Sequence, residues 1–74
     1  MSLKRIQNAI GKRLKALRIA KNFSQEQVSL EIKMSRDHLS NIENGKFPIN
    51  IKTLHKLACF YEVELEYFFV GLKR

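Results

Sequence analysis

Residues 24–46 read SQEQVSLEIKMSRDHLSNIENGK, and this stretch contains two helix starts. Ser24 is followed three residues later by Gln27, which is the pattern of a capping box: each side chain binds a free backbone N–H near the other. Ser35 repeats the cap before a second run, and Gly45 suits the left-handed conformation that ends many helices. The pattern therefore predicts two short helices, at about 25–32 and 36–44.

Apolar residues support both helix starts. At the first, Phe23 and Val28 take the positions of a hydrophobic staple. At the second, Met34 and Leu39 do the same. About three residues separate the helices, too few for an antiparallel pair, so we expect them to cross steeply, as in a helix-turn-helix motif at about 25–44. The inward residues predicted are Val28, Ile32, Leu39 and Ile42.

Further helices are predicted on both sides of this pair. Apolar residues recur at steps of three and four before Asn22, which predicts a first helix at about 4–20 that ends near this residue. Asn50 caps a helix at about 51–61 after the extended segment imposed by Pro48. Glu64 begins a last one at about 65–70. No segment alternates polar and apolar residues, so residues 1–74 are predicted to be one all-α domain of five helices. The core positions expected in the last two helices are Ile51, Leu54, Leu57, Ala58, Tyr61, Leu65, Phe68 and Phe69.

The charge of the chain is positive and uneven. Fourteen Lys and Arg against seven Asp and Glu give a net charge of +7, which favours polyanionic partners. Residues 1–22 hold seven basic side chains and no acidic one, whereas residues 57–70 hold three glutamates and no basic side chain. We therefore expect one end of the molecule to attract phosphate and the other not to.

The basic N-terminal segment has two other interpretations. It resembles an organelle transit peptide in charge, but it contains only one serine. It could also lie on an anionic membrane as an amphipathic helix, although its apolar residues are spaced to pack inside a globular fold. The longest apolar run, 57–61, is far too short to span a membrane, and the single cysteine, Cys59, cannot form an internal disulfide. The sequence predicts a cytoplasmic protein.

The chain resembles the phage repressor and Cro-type helix-turn-helix family over roughly residues 6–69. The resemblance implies a lambda-repressor-like fold and a sequence-specific regulator of transcription, a repressor or an activator. Such a regulator binds a two-fold DNA operator as a homodimer, with the helix at 36–44 in the major groove. A narrower resemblance is to controller proteins of restriction–modification systems. The stretches that carry the resemblance are IGKRLKALR (10–18), SQEQV (24–28), MSRDHLSNIENGK (34–46) and LHKLACFYEVELEYFF (54–69).

Three positions depart from the family pattern. Ser29 replaces a small residue, usually Ala, between the two motif helices. Lys33 replaces the glycine usual in the turn, and Glu62 replaces the glycine usual after the fourth helix. A left-handed Lys costs roughly 1 kcal/mol more than Gly, so the turn is expected to be either mildly strained or differently shaped.

The outward residues of the helix at 36–44 are short, directional hydrogen-bonding groups. Arg36 can bind guanine O6 and N7, and Asn41 can bind adenine N6 and N7. Asp37 either accepts from cytosine N4 or only interacts with the helix dipole, and His38 reaches a base edge or a phosphate. The candidate base-reading residues are thus Arg36, Asp37, His38 and Asn41. The candidate phosphate contacts are Gln25, Ser35, Ser40, Asn44 and Lys46. For Gln25 and Lys46 the contact is implied by the resemblance, and a solvated surface role is the alternative.

Two further roles concern structure and assembly. The resemblance implies that Arg18 pairs with Glu43, largely out of solvent; the alternative role of Arg18 is a phosphate contact. At the acidic end, where two copies could meet without bringing basic surfaces together, the last helix carries more apolar side chains than its own core needs. We therefore predict a homodimer through Leu65, Tyr67 and Phe69.

Other functions have weaker support. His55 and Cys59 are four residues apart and could supply two zinc ligands, but no third ligand is evident nearby, and no catalytic or nucleotide-binding motif appears. We expect no enzyme activity, cofactor or metal. RNA is disfavoured because no aromatic lies among the outward residues. The alternative function is a protein-interaction adaptor or anti-repressor that keeps the fold without binding DNA, although such a protein needs no outward Arg, His and Asn. Leu30 either packs on the first helix or marks a partner surface.

Overall fold

The computed structural model describes residues 2–72, which form helices and no strand. Four are α-helices: α1 (Leu3–Ala20), α2 (Gln25–Ile32), α3 (Arg36–Glu43) and α4 (Ile51–Tyr61). A 3₁₀ helix follows at Leu65–Phe69. The predicted all-α helix-turn-helix fold is confirmed, with helix bounds within a residue of those expected.

The fifth element differs from the prediction, because it is a 3₁₀ helix and not an α-helix. Glu64 gives it no side-chain cap, and Val70 is already extended (φ −64°, ψ 130°). Five residues are too few to offset the cost of nucleating an α-helix, and short 3₁₀ segments are common in such places.

Side-chain caps begin the helices where the sequence predicts them. The Ser24 hydroxyl accepts from the Gln27 N–H at 3.0 Å, and the Gln27 side-chain oxygen accepts from the Ser24 N–H at 2.7 Å. Ser35 and Asn50 cap α3 and α4 through hydrogen bonds of 3.0 and 2.8 Å to the third residue that follows each. These caps set the first turn of each helix locally.

Left-handed residues end several of the helices. Gly45 and Asn22 have φ values of 70° and 61°, as predicted for helix ends. Lys33 and Glu62 adopt the same conformation at 60° and 59°, although neither is glycine. The turn between α2 and α3 is therefore strained by roughly 1 kcal/mol relative to glycine and is not reshaped.

The buried apolar side chains form a core between the helices. Ile51 was predicted to be buried and is 63% exposed, because it is the first residue of α4 and lies one turn outside the buried stripe. Phe69 was also expected in the core and is 41% exposed. Since residues three apart share a face of a 3₁₀ helix, Phe68 lies beneath the same face as Leu65, and Phe69 does not. The core residues are Ile10, Leu14, Val28, Ile32, Leu39, Ile42, Leu54, Leu57, Ala58, Tyr61 and Phe68.

Helices α1 and α3 make a close backbone contact at Gly11. A Cβ atom at this buried residue would lie 2.5 Å from the carbonyl oxygen of Glu43 and 2.6 Å from that of Ile42. Both obstacles are backbone atoms, which cannot rotate aside. The missing side chain therefore lets the C-terminal end of α3 rest directly on α1.

Within residues 2–72, no helix is both long enough and apolar enough to cross a membrane.

Candidate nucleic-acid interface

One side of helix α3 packs against the rest of the protein, and its other side, called the open side below, faces solvent. Leu39, Ile42 and Glu43 are buried against α1 and α2. At 3.6 residues per turn, the direction opposite these residues passes between Asp37 and Asn41. By the same geometry the other two predicted base-reading residues flank this centre. Arg36, Asp37 and His38 are exposed, and Asn41 is half-buried.

The predicted phosphate contacts on α3 and its C-terminal loop lie at the two ends of the helix. Ser35 begins α3, and its hydroxyl oxygen accepts from the His38 N–H, which leaves the hydroxyl hydrogen to donate. At the other end the Asn44 side-chain amide donates to the Ser40 hydroxyl at 3.4 Å. Lys46 is exposed in the loop that follows.

Three lysines that were not predicted to contact phosphate line grooves at the two ends of α3. A groove of about 350 Å³ at its start is lined by Lys33, Lys56, Ser35 and His38, among others. A second groove, of about 720 Å³, lies at its far end and includes Lys4, Asn44 and Lys46. Lys56 lies on α4 and Lys4 on α1. Their positive charge is evident from the sequence, but their position beside α3 depends on how the helices pack.

The Gln25 side chain is directed toward the protein. Its amide Nε2 donates to Glu43 Oε1 at 3.1 Å, and the residue is half-buried. One hydrogen of this amide is therefore used internally, although the second remains for another acceptor. Nothing in the local sequence indicates this contact, because the two residues are eighteen positions apart.

Arg18 and Glu43 form a bidentate ion pair beneath α3. Arg18 Nε donates to Glu43 Oε2 at 2.9 Å, and Nη2 donates to Oε1 at 3.1 Å. The third donor used, Nη1, binds the Phe23 carbonyl at 3.0 Å. Glu43 is only 3% exposed, so its charge is compensated by the guanidinium and the Gln25 amide rather than by water.

Tyr61 lies near this ion pair and is fully buried. Its hydroxyl has no hydrogen-bond partner within residues 2–72. The pKa of Tyr61 is raised to about 12, chiefly by burial and also by the nearby Glu43 carboxylate, while the Arg18 guanidinium opposes part of the rise. The phenol therefore stays neutral at physiological pH.

The predicted dimer residues lie at the acidic end of the chain. Leu65 is half-buried, and Tyr67 and Phe69 are each 41% exposed. The Arg13 guanidinium donates to the Tyr67 carbonyl oxygen at 3.0 Å, which ties the 3₁₀ helix to α1. Glu62, Glu64 and Glu66 are exposed around it, while Lys4, Arg5, Lys12 and Lys15 are exposed along α1 and Lys21 directly after it.

The remaining candidate was a metal pair on α4. His55 Nε2 lies 3.6 Å from Cys59 Sγ, and both residues are exposed. Within residues 2–72, no group of three or more His, Cys, Asp and Glu side chains is arranged to hold a metal ion.

Comparison with known proteins gives consistent matches. The helix-turn-helix family profile matches residues 14–68. A 10 kDa protein of the ImmF control region of Bacillus phage phi105 is 37% identical in an alignment of 59 positions, which covers 74% of this chain and 66% of that protein. An uncharacterised HTH-type transcriptional regulator of Methanocaldococcus jannaschii is 33% identical over 58 residues, 78% of this chain and 88% of that protein.

A solved structure agrees with these sequence matches. The restriction-modification controller protein C.AhdI from Aeromonas hydrophila superposes with a TM-score of 0.79 and 27% sequence identity, over 84% of this chain and 94% of that chain. The chain therefore belongs to the helix-turn-helix family, and it is a DNA-binding regulator rather than an enzyme.

Proposed function

We propose that this protein is a cytoplasmic, sequence-specific regulator that binds a two-fold DNA operator as a homodimer and places α3 in the major groove. One observation carries the proposal. Helix α3 is buried along one side, while its other side holds directional polar groups between lysine-lined grooves. This arrangement suits a helix that reads base edges while basic residues hold the phosphates on either side.

The proposed base contacts follow from position on α3. Asp37, which is exposed, and Asn41, which is half-buried, lie on the open side of α3 and would enter the groove. Asn41 is suited to adenine and Arg36 to guanine, whereas Asp37 is suited to the amino group of cytosine. His38, on the other flank, would meet a base edge or a phosphate near the groove wall.

The proposed phosphate contacts surround these residues. Ser35 and the free N–H groups at the start of α3 favour an anion, as helix N-termini generally do. Ser40, Asn44 and Lys46 would contact the strand at the other end, and Gln25 can still donate one amide hydrogen. The grooves described above support adding Lys4, Lys33 and Lys56 to this set.

Homodimerisation is proposed because one eight-residue helix reaches only one short half-site. A second copy related by a two-fold axis doubles the contact and matches a palindromic operator. Leu65, Tyr67 and Phe69 form the proposed interface, since Tyr67 and Phe69 expose apolar surface close to three exposed glutamates, Glu62, Glu64 and Glu66. Two copies joined there keep their basic surfaces apart.

The names of the relatives support a role in gene control. One belongs to a phage control region and another is a restriction-modification controller. We infer that this protein controls a small set of genes through its operator in the same general manner.

The proposal is tested by selecting fragments from a genomic DNA library with the purified protein and sequencing the bound pool. We expect enrichment of one motif with two-fold symmetry, and loss of this enrichment with the Asn41→Ala variant. If all DNA sequences were recovered equally, or if no DNA were recovered, the result would favour the protein-interaction adaptor instead.

The dimer is tested separately by sedimentation equilibrium, which should give a dimer at micromolar concentrations. Tyr67→Glu places a charge in the proposed interface and should yield a folded monomer, whereas Leu30→Glu on α2 serves as the matched control. A folded Tyr67→Glu protein that still occupies the operator as a dimer would rule out this interface.

A further inference from the structure

Phe47 stacks on His38 at the edge of α3. The two ring centroids are 6.0 Å apart, and the ring planes differ by 26°. Phe47 lies in the loop after α3 and is 48% exposed, and His38 is exposed as well. An aromatic side chain thus lies on the surface against a polar ring, outside the core.

The loop geometry holds Phe47 in this place. Gly45 turns the chain with a φ of 70°, and the Lys46 N–H donates to the Asn41 carbonyl at 2.9 Å. Pro48 follows directly, and its ring restricts the backbone of Phe47 to extended conformations. The aromatic ring is therefore positioned by the backbone on both sides and by the stack with His38.

This position is on the proposed DNA-binding surface. His38 flanks the open side of α3 and lines the groove that contains Lys33 and Lys56. Lys46, a proposed phosphate contact, precedes Phe47 directly. The exposed part of the Phe47 ring, next to Lys46 and against His38, leaves apolar surface free to cover apolar parts of a DNA strand.

We propose that Phe47 is a further specificity-determining residue, acting as a unit with His38. Its ring keeps the imidazole in one orientation and packs on the C–H surface of one DNA strand, which is a thymine 5-methyl group or a deoxyribose. The inference rests on the proposed function. Apolar contact with thymine methyls is an established way to read DNA, and a His38 ring held by stacking loses less rotamer freedom on binding than a free one.

The experiment is a double-mutant cycle that measures affinity for the selected operator. Phe47→Leu keeps apolar bulk in the loop but removes the ring, and His38→Ala removes its partner. Since an aromatic pair is worth at most about tenfold in affinity, we expect Phe47→Leu to weaken binding by several-fold up to about tenfold. In a protein that already carries His38→Ala, Phe47→Leu should weaken operator binding by a clearly smaller factor. Phe47→Tyr should restore affinity, and Leu30→Ala, another exposed apolar residue, is the matched control.

Operators in which single thymines are replaced by uracil identify the partner of the ring. If loss of one methyl group weakens binding by the wild type but not by Phe47→Leu, the ring contacts that thymine. If Phe47 and His38 are coupled but no thymine position behaves in this way, the ring contacts deoxyribose. The inference would be overturned, with the proposed function left intact, if Phe47→Leu did not change operator affinity. The same holds if the losses of affinity from Phe47→Leu and His38→Ala simply add. Absence of selective DNA binding by the wild type would overturn the proposed function and this inference with it.

Discussion

Arg18 and Glu43 are joined by two parallel hydrogen bonds, of 2.9 and 3.1 Å, although they are 25 residues apart in the chain. Glu43 is the last residue of α3, and Arg18 lies in the last turn of α1. The pair therefore fixes the C-terminal end of α3 to α1. The side-chain amide of Gln25, on α2, donates to the same Glu43 carboxylate, so α2 is joined to this contact as well.

Glu43→Ala should lower the free energy of unfolding by about 3–5 kcal/mol, because it leaves the largely buried guanidinium without its counter-charge. Chemical denaturation monitored by circular dichroism measures the change. Glu31→Ala removes an exposed glutamate from α2 and should have little effect. An unchanged midpoint for Glu43→Ala would show that the ion pair does not contribute to stability.

Gly11→Ala should destabilise the fold by about 1–3 kcal/mol, the usual range for overpacking. The new methyl group would overlap the carbonyl oxygens of Ile42 and Glu43, so α3 must move away from α1. Thermal unfolding measures the loss. Lys12→Ala, the next residue on the exposed side of α1, provides the control, since alanine there meets no neighbour. Equal melting temperatures for the two variants would contradict the close helix contact.

Tyr61→Phe should leave stability at pH 7 unchanged or raise it, because the deleted hydroxyl is buried without a partner. The same hydroxyl makes the wild type sensitive to alkali. Its pKa is about 12 in the folded state against 10.0 ordinarily, so the unfolded chain loses this proton first. Below pH 10 the phenol is protonated in both states, and its raised pKa costs no stability. As the pH rises from 10 to 12 the unfolded chain loses the proton first, so the free energy of unfolding falls.

Over that range the wild type should lose on the order of 2–3 kcal/mol more than Tyr61→Phe. Lysines titrate in both proteins, so the difference between the two denaturation curves isolates the tyrosine. Parallel decreases in the two proteins would show that the hydroxyl is solvated or hydrogen-bonded in solution. A large loss at pH 7 in Tyr61→Phe would lead to the same conclusion.

Lys33→Gly should stabilise the protein by roughly 1 kcal/mol, because glycine accepts the left-handed conformation without steric cost. Asn22→Gly, at nearly the same φ, should gain less, since asparagine tolerates this region. Denaturation of both variants measures the difference. Operator affinity should fall in Lys33→Gly if its side chain contacts phosphate, so stability and binding would change in opposite directions. A destabilised Lys33→Gly would show that the lysine side chain itself supports the turn.

Arg36→Ala should lose roughly 1–3 kcal/mol of operator affinity and relax discrimination at one base pair in each half-site. Lys46→Ala should instead weaken all sequences alike and reduce the salt dependence of binding, as expected for a phosphate contact. Titrations with the selected operator and with random DNA, at several salt concentrations, distinguish the two. Equal weakening of both DNAs by Arg36→Ala would assign this residue to the phosphate backbone.

The sequence by itself determined the helices and the motif, because their causes are local. Ser24, Ser35 and Asn50 bind backbone groups three residues away, so their caps were visible in the chain. The stripe of Val28, Ile32, Leu39 and Ile42 likewise follows from helical periodicity. Residues 36–44 could be selected as the candidate site because their outward side chains share one chemistry.

Tertiary structure alone decided how distant parts of the chain meet. Gln25 was expected to face phosphate, and only the crossing of α2 and α3 brings its amide to Glu43. Ile51 fits the apolar stripe of α4 in sequence, but the packed helices leave its side chain 63% exposed. The stack of Phe47 on His38 depends on the path of the loop after α3. Local patterns determine which face of a helix is apolar, but contacts between helices depend on crossing angles and helix lengths, which the chain sets only when it packs as a whole.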